Sequence, residues 1–315
     1  MLLRGTNFGY VLNASGARNF DGSGWWYHRV FGWTGLDYTG STFVAKTTTL
    51  EARLGNMLLY GLHPVEKMPD CIRVYPWKGA ALNAVGLSGP GADALLQSGV
   101  WQAQEKPFFL SFMSVARDTT ERMSELFRFV GLLARHLPFQ APVALQMNFS
   151  CPNVGLDPRK LITEIRESLT VAGTLGIPLV PKINVTFPQD VILALQGHQE
   201  LDAIAVSNTI PWGHESIDWQ KLFGTTVSPL AHFGGGGLSG SPLLPLVVAW
   251  IRQLRQMGFE KPIIGGGGIL DRGDADRMVE AGADAVELGS VAMLRPWRVQ
   301  GIIRHMNRKM GNGVL

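Results

Sequence analysis

The segment QMNFSCPNVG, residues 146–155, places Asn148, Ser150, Cys151 and Asn153 within six positions. A cysteine beside proline, in a loop flanked by carboxamides, suits an exposed base or nucleophile, since thiolate chemistry needs access and polar neighbours. The bland alternative is a small buried residue at the end of a strand. Cys71, in MPDCIRVYP, has no such constellation and reads as structural. Lys46 and Lys182 each end an apolar run, where an ammonium is expensive to bury without an anionic partner. A reduced flavin is one such partner, because a cation near its N1 and O2 edge favours hydride arrival. The competing reading is a lysine that snorkels from a rim to solvent. Asn83, Asn148, Asn153 and Asn208, with Thr209, offer neutral donors and acceptors that could read a planar ligand edged with amide groups.

Three glycine-rich turns follow late in the chain: FGGGGLSG at 233–240, IIGGGGI at 263–269 and ELGSV at 287–291. Glycine allows close backbone approach and positive φ, so that successive N–H groups can point at phosphate oxygens. Glycine clusters also form tight turns that hold no ligand, and it is their convergence that predicts a phosphate site. Asp271 and Asp274 read as helix-start residues rather than ligands.

These residues must be positioned by something, and the chain alternates short apolar runs with longer amphipathic stretches, as βα units do. Strands are expected at 43–47, 108–115, 143–150, 178–184, 203–208, 262–268 and 285–290, with a short run near 81–86 as an eighth. Helical patterns fall at 119–136, 158–175, 188–196, 242–257 and 273–281. The expected fold is an α/β (β/α)8 barrel forming a single domain over residues 1–315, with its active site on the rim at the carboxyl ends of the strands. Lys46, Asn148, Lys182, Asn208, Gly265 to Gly268, Gly289 and Ser290 all end such runs. A Rossmann sheet is disfavoured because no GxGxxG opens a helix after the first strand.

Composition narrows the function classes. With 46% hydrophobic and 17% charged residues the chain can bury a large core, and a formal charge of +3 with scattered basic residues is no nucleic-acid footprint. Two distant cysteines without metal-ligand spacing argue against a disulfide framework and a structural metal, which leads us to expect a reducing, cytoplasmic setting. No run approaches the roughly 18–20 apolar residues of a membrane span, and no signal-like segment opens the chain, so a soluble, unprocessed protein with a small-molecule substrate is expected.

Taken together, the motifs resemble the dihydroorotate dehydrogenases. The likeness runs from Asn13-Ala14-Ser15-Gly16 through KTTT with EARLGN after it, NAVGL at 83–87, NFSCPNVG, VPKIN, SNT at 207–209, GGLSG at 236–240 and GGGGI, to Gly289-Ser290. The resemblance implies FMN, with its phosphate on Gly237, Gly267, Gly268, Gly289 and Ser290 and its ring near Ala14, Ser15, Lys46, Asn148, Lys182 and Thr209. It implies a substrate, dihydroorotate, between Lys46, Asn83, Gly86, Leu87, Asn148, Asn153, Asn208 and Thr209, oxidised to orotate in pyrimidine biosynthesis. Cys151 would take the C5 proton while hydride passes from C6 to flavin N5. A cysteine at that position is similar to the soluble class, which the resemblance also implies to be homodimeric. NAVGLSGPG, Asn208-Thr209 and GGLSGSP look like its NAD-coupled subclass, whose barrel subunit pairs with a separate FAD and iron–sulfur subunit.

The departures are a short loop after Cys151, the unfamiliar Trp212-Gly213-His214, and the tryptophan-rich GSGWWYHRVFGW at 22–33. Rival readings are a flavin enzyme for another dihydropyrimidine, a Schiff-base aldolase using Lys182, and a non-catalytic phosphate-binding barrel.

Overall fold

The computed structural model describes residues 1–149 and 158–311. Eight parallel strands form one sheet: β1 (Val11–Asn13), β2 (Phe43–Val44), β3 (Phe108–Phe112), β4 (Val143–Asn148), β5 (Leu179–Ile183), β6 (Ile204–Val206), β7 (Ile263–Gly266) and β8 (Ala285–Leu288). Neighbours run in chain order from β2 to β8, and β8 then pairs with β1. The ring closes where Leu12 bridges Thr42 in parallel, and Asn13 ties the seam by donating Nδ2–H to the Val44 carbonyl at 2.8 Å.

Side chains alternate in and out along every strand, as a closed sheet requires. Leu12, Val44, Phe109, Ala144, Val180, Ala203, Ala205, Ile264 and Ala285 form the buried interior floor. The opposite parity, including Phe108, Leu110, Leu145, Ile183, Ile204 and Val286, packs outward beneath the helices. Each fully buried Leu or Phe contributes about 1.5–3 kcal/mol by leaving water. Met1, Leu3 and Phe8, on a hairpin of Leu2–Leu3 with Thr6–Asn7, join the floor cluster, and the Phe8 ring lies 4.8 Å from Phe109.

The expected helices form at Thr119–Ala134, Pro158–Gly173, Gln189–Leu193, Leu244–Gln256 and Arg272–Glu280, and Val299–Gly311 joins them. Asp271 caps its helix and forms a capping box with Asp274, as the sequence suggests.

One expected strand is corrected. The run near 81–86 forms a strand, Ala80–Asn83, but it lies in a separate four-stranded antiparallel sheet with Ile72–Tyr75, Gly237–Gly240 and Ile210–Pro211. The eighth barrel strand is β1. A short apolar run specifies an extended backbone but not its partner, and Ala80–Asn83 finds antiparallel partners on both sides. This second sheet attaches to the rim, because Ile210–Pro211 follows β6 directly and Ser241 donates its backbone N–H to the Gly79 carbonyl at 2.8 Å.

Candidate active site

Strand alternation carries the inward parity from the floor up to the rim. Two residues beyond Val44, Ala144, Val180 and Ala285 come Lys46, Gln146, Lys182 and Glu287, and Asn148 follows Gln146. On β7 the same parity falls on Gly266 and Gly268, and after β8 on Gly289. One arc of the rim therefore carries ammonium and carboxamide groups while another is bare main chain.

Near Lys46 the register shifts by one residue, from Val44 opposite Phe109 to Thr48 opposite Phe112. Lys46 donates its backbone N–H to Asn19. Its ammonium donates to the Ser88 carbonyl at 2.6 Å and lies 4.6 Å from the Phe20 ring centroid. It is only 6% exposed, and among the described residues no carboxylate pairs with it. Burial pushes the Lys46 ammonium down to about 8. Ser15 lies beside it in a chain of hydroxyls, Ser15 to Thr47 at 2.8 Å and Thr47 to Ser111 at 2.9 Å.

Asn148 and Lys182 stand opposite each other on β4 and β5. Asn208, after β6, donates Nδ2–H to Asn148 Oδ1 at 2.6 Å, which joins the two predicted carboxamides directly. Thr209 is held by its carbonyl, which accepts from Asn184 Nδ2 at 2.7 Å.

The second sheet brings in the rest. Asn83 is in register with Gly237, and a Cβ on Gly237 would stand 2.2 Å from Thr209 Oγ1. Gly86 and Leu87 follow with φ of 71° and 59°. A leucine in the left-handed region is strained, and the Ser88 carbonyl that follows it receives the Lys46 ammonium.

On the glycine arc, Gly267 and Gly268 take φ of 108° and 88°, and a Cβ on Gly268 would meet the Leu244 backbone nitrogen at 2.6 Å. Gly289 abuts Ala14, so that a Cβ on Gly289 would stand 2.9 Å from the Ala14 Cβ, and Ala14 donates its N–H to the Leu288 carbonyl. Ser290 is buried just after it. The structure thus gathers Ala14, Ser15, Lys46, Asn83, Asn148, Lys182, Asn208, Thr209, Gly237, Gly267, Gly268, Gly289 and Ser290 around one rim, with Gly86 and Leu87 on its edge. Cys151 and Asn153 lie outside the described residues.

One expectation about charge is revised. Lys182 has its anionic partner within the protein, a buried ion pair at 2.6 Å with Glu287. Its nitrogen is engaged by that carboxylate rather than free to attack a carbonyl, which counts against the aldolase reading. Sequence reasoning missed Glu287 and Gln146. The signal was available in the period of two: in AVELGS, Glu287 shares the inward parity of Ala285.

The unfamiliar segment at 22–33 contributes a brace. Trp25 donates its indole N–H to the Gly16 carbonyl at 2.8 Å, steadying the turn that carries Ala14 and Ser15. Trp212 packs on Trp219 and Phe223.

Comparison with known proteins decides the family, because residues 10–310 match the sequence profile of dihydroorotate dehydrogenase. The chain belongs to the dihydroorotate dehydrogenase family. It is 30% identical over 285 residues to the catalytic subunit of dihydroorotate dehydrogenase B (NAD(+)) of Caldicellulosiruptor bescii, spanning 84% of this chain and 81% of that one. It is 29% identical to the protein of the same description from Caldicellulosiruptor saccharolyticus, across 85% and 83% of the two chains. Among solved structures, the ligand-free dihydroorotate dehydrogenase of Eimeria tenella shares the fold with a TM-score of 0.69 at 20% identity, covering 99% of this chain and 86% of that one.

Membership makes the protein an oxidoreductase and implies a flavin cofactor. The residues present fit one: a desolvated ammonium with no carboxylate partner among the described residues, for an electron-rich ring edge, and an arc of main chain free of side chains for a phosphate. Gly237 and Gly268 are also demanded by the protein's own close contacts, so these glycines do not by themselves argue for a ligand. Among the described residues, no helix is long and apolar enough to cross a membrane.

Proposed function

We propose that this chain oxidises (S)-dihydroorotate to orotate, with FMN across the barrel mouth. Supporting this is the asymmetry of the rim, where the Lys46 ammonium, without a carboxylate partner among the described residues, and the Asn148–Asn208 carboxamide pair share the strand ends with an arc of bare main chain at Gly267, Gly268 and Gly289. A substrate bearing a carboxylate and two ring amides matches that arc: Lys46 takes the carboxylate, while Asn83, Asn148, Asn153 and Asn208 read the amide edge. FMN, when bound, supplies the two-electron acceptor for the hydride leaving C6. Cys151 removes the C5 proton, so that the substrate loses one proton and one hydride as its ring C–C bond becomes double. Ala14, Ser15, Lys46, Asn148, Lys182 and Thr209 border the ring, so that Lys46 and Asn148 lie between ring and substrate, and Gly237, Gly267, Gly268, Gly289 and Ser290 hold the phosphate.

The relatives described as catalytic subunits of dihydroorotate dehydrogenase B (NAD(+)) favour NAD as the final acceptor, and the family resemblance implies that electrons reach it through a separate FAD and iron–sulfur subunit. The test is an anaerobic mix of purified protein with dihydroorotate, then reoxidation with NAD in the presence of such a subunit, with fumarate, or with a quinone. Bleaching of a bound flavin by dihydroorotate is expected; bleaching by dihydrouracil alone transfers the assignment to another dihydropyrimidine.

A further inference from the structure

Glu287 is 3% exposed and has no place in the function above, yet its carboxylate is fully engaged. Oε2 accepts from the Lys182 ammonium at 2.6 Å and Oε1 accepts from Gln146 Nε2 at 3.2 Å. The two charged residues are on β5 and β8, which are not neighbours; β6 and β7 stand between them. The pair therefore reaches across the inside of the barrel, and the residue in register beside each partner is small, Ala205 next to Lys182 and Gly266 next to Glu287. A Cβ on Gly266 would stand 3.2 Å from Glu287 Oε2, so the glycine leaves room for the carboxylate. The Gln146 amide is oriented by that contact, because its own Oε1 is buried without a hydrogen-bond partner among the described residues. The opposite amide orientation would set oxygen against oxygen.

We propose that Glu287 is a positioning residue for Lys182, locking its ammonium and keeping the layer beneath the cofactor electrically neutral. The inference rests on FMN lying over Lys182 as proposed above. A lone buried ammonium there would draw negative charge onto the ring. Paired with Glu287 it offers a directed hydrogen-bond donor with little net field, so the ring is less easily reduced than one above an isolated cation. Lys46, with no carboxylate paired to it among the described residues, then carries net positive charge at the rim.

The test compares parent, Glu287→Gln, Lys182→Met and the double variant, each loaded with FMN and equilibrated with a reference redox dye in mildly acidic buffer. Glu287→Gln is expected to shift the equilibrium toward reduced flavin by about tenfold or more, and Lys182→Met to shift it the other way. An unchanged or opposite shift in Glu287→Gln overturns the proposal. Urea unfolding of the flavin-stripped proteins reads the pairing separately. Each single change should lower the midpoint and the double variant should recover it, whereas losses that add in the double variant show that the two side chains do not act as a pair. Failure of the parent to hold FMN refutes the functional reading instead, and the unfolding series still reports on the pair.

Discussion

Lys46 should make both ligand binding and stability depend on pH in a way that a methionine at that position abolishes. Burial lowers its pKa from 10.5 to about 8, a difference equivalent to about 3 kcal/mol against the charged form in the folded protein. Between those two values the unfolded chain keeps the proton that the folded chain has released, so stability rises with pH across this window. Below about 8 the folded state bears the full cost of the ammonium; above about 10.5 it bears none. In urea unfolding of flavin-free protein, the parent should therefore gain up to about 3 kcal/mol relative to Lys46→Met as pH climbs from about 8 to about 10.5. Binding moves the opposite way, because a carboxylate ligand needs the proton in place. Orotate affinity, followed by its perturbation of flavin absorbance, should fall relative to Lys46→Met by up to about tenfold per pH unit above about 8. Parallel pH profiles for parent and variant, in either assay, would refute the reasoning.

Cys151→Ala should retain FMN but slow its reduction by dihydroorotate at least about a hundredfold, the scale of a lost general base, and stopped-flow bleaching at the parent rate removes the cysteine from that role. Cys151→Ser should keep a slow reaction that quickens with pH. Gly268→Ala would force a Cβ to within 2.6 Å of the Leu244 nitrogen in a backbone of positive φ, so soluble expression or FMN content should collapse; a yellow, stable variant would show that the turn is not rigid. Asp271→Ala removes a helix cap whose side chain is not among those placed at the ring, and a loss of about 1 kcal/mol in unfolding with unchanged flavin reduction is expected.

Several features could be read from the chain because their causes are local. The alternation of runs announces the barrel, and the apolar runs that become β3, β4, β5, β7 and β8 are placed to within a few residues. Asp271 and Asp274 announce a helix start through their spacing alone. The polar residues ending those runs follow from the period of two, which puts every second side chain inside. In the structure Asn208 and Asn148, sixty positions apart, share a hydrogen bond because their strand ends share a rim.

Pairing was decided only by the tertiary structure. Val11–Asn13 and Ala80–Asn83 are both short apolar runs ending in asparagine, and nothing within either says which joins the barrel. That depends on the backbone donors and acceptors left open by distant strands, here β8 and Thr42 for the first and Gly237–Gly240 for the second. The partners of the two lysines are equally non-local. Lys182 and Glu287 are separated by 105 residues in sequence and meet across the barrel interior, while among the described residues Lys46 is left with a carbonyl and a ring. Charge in a buried layer is settled by which side chains the closed sheet brings within reach, and closure is a property of all eight strands together.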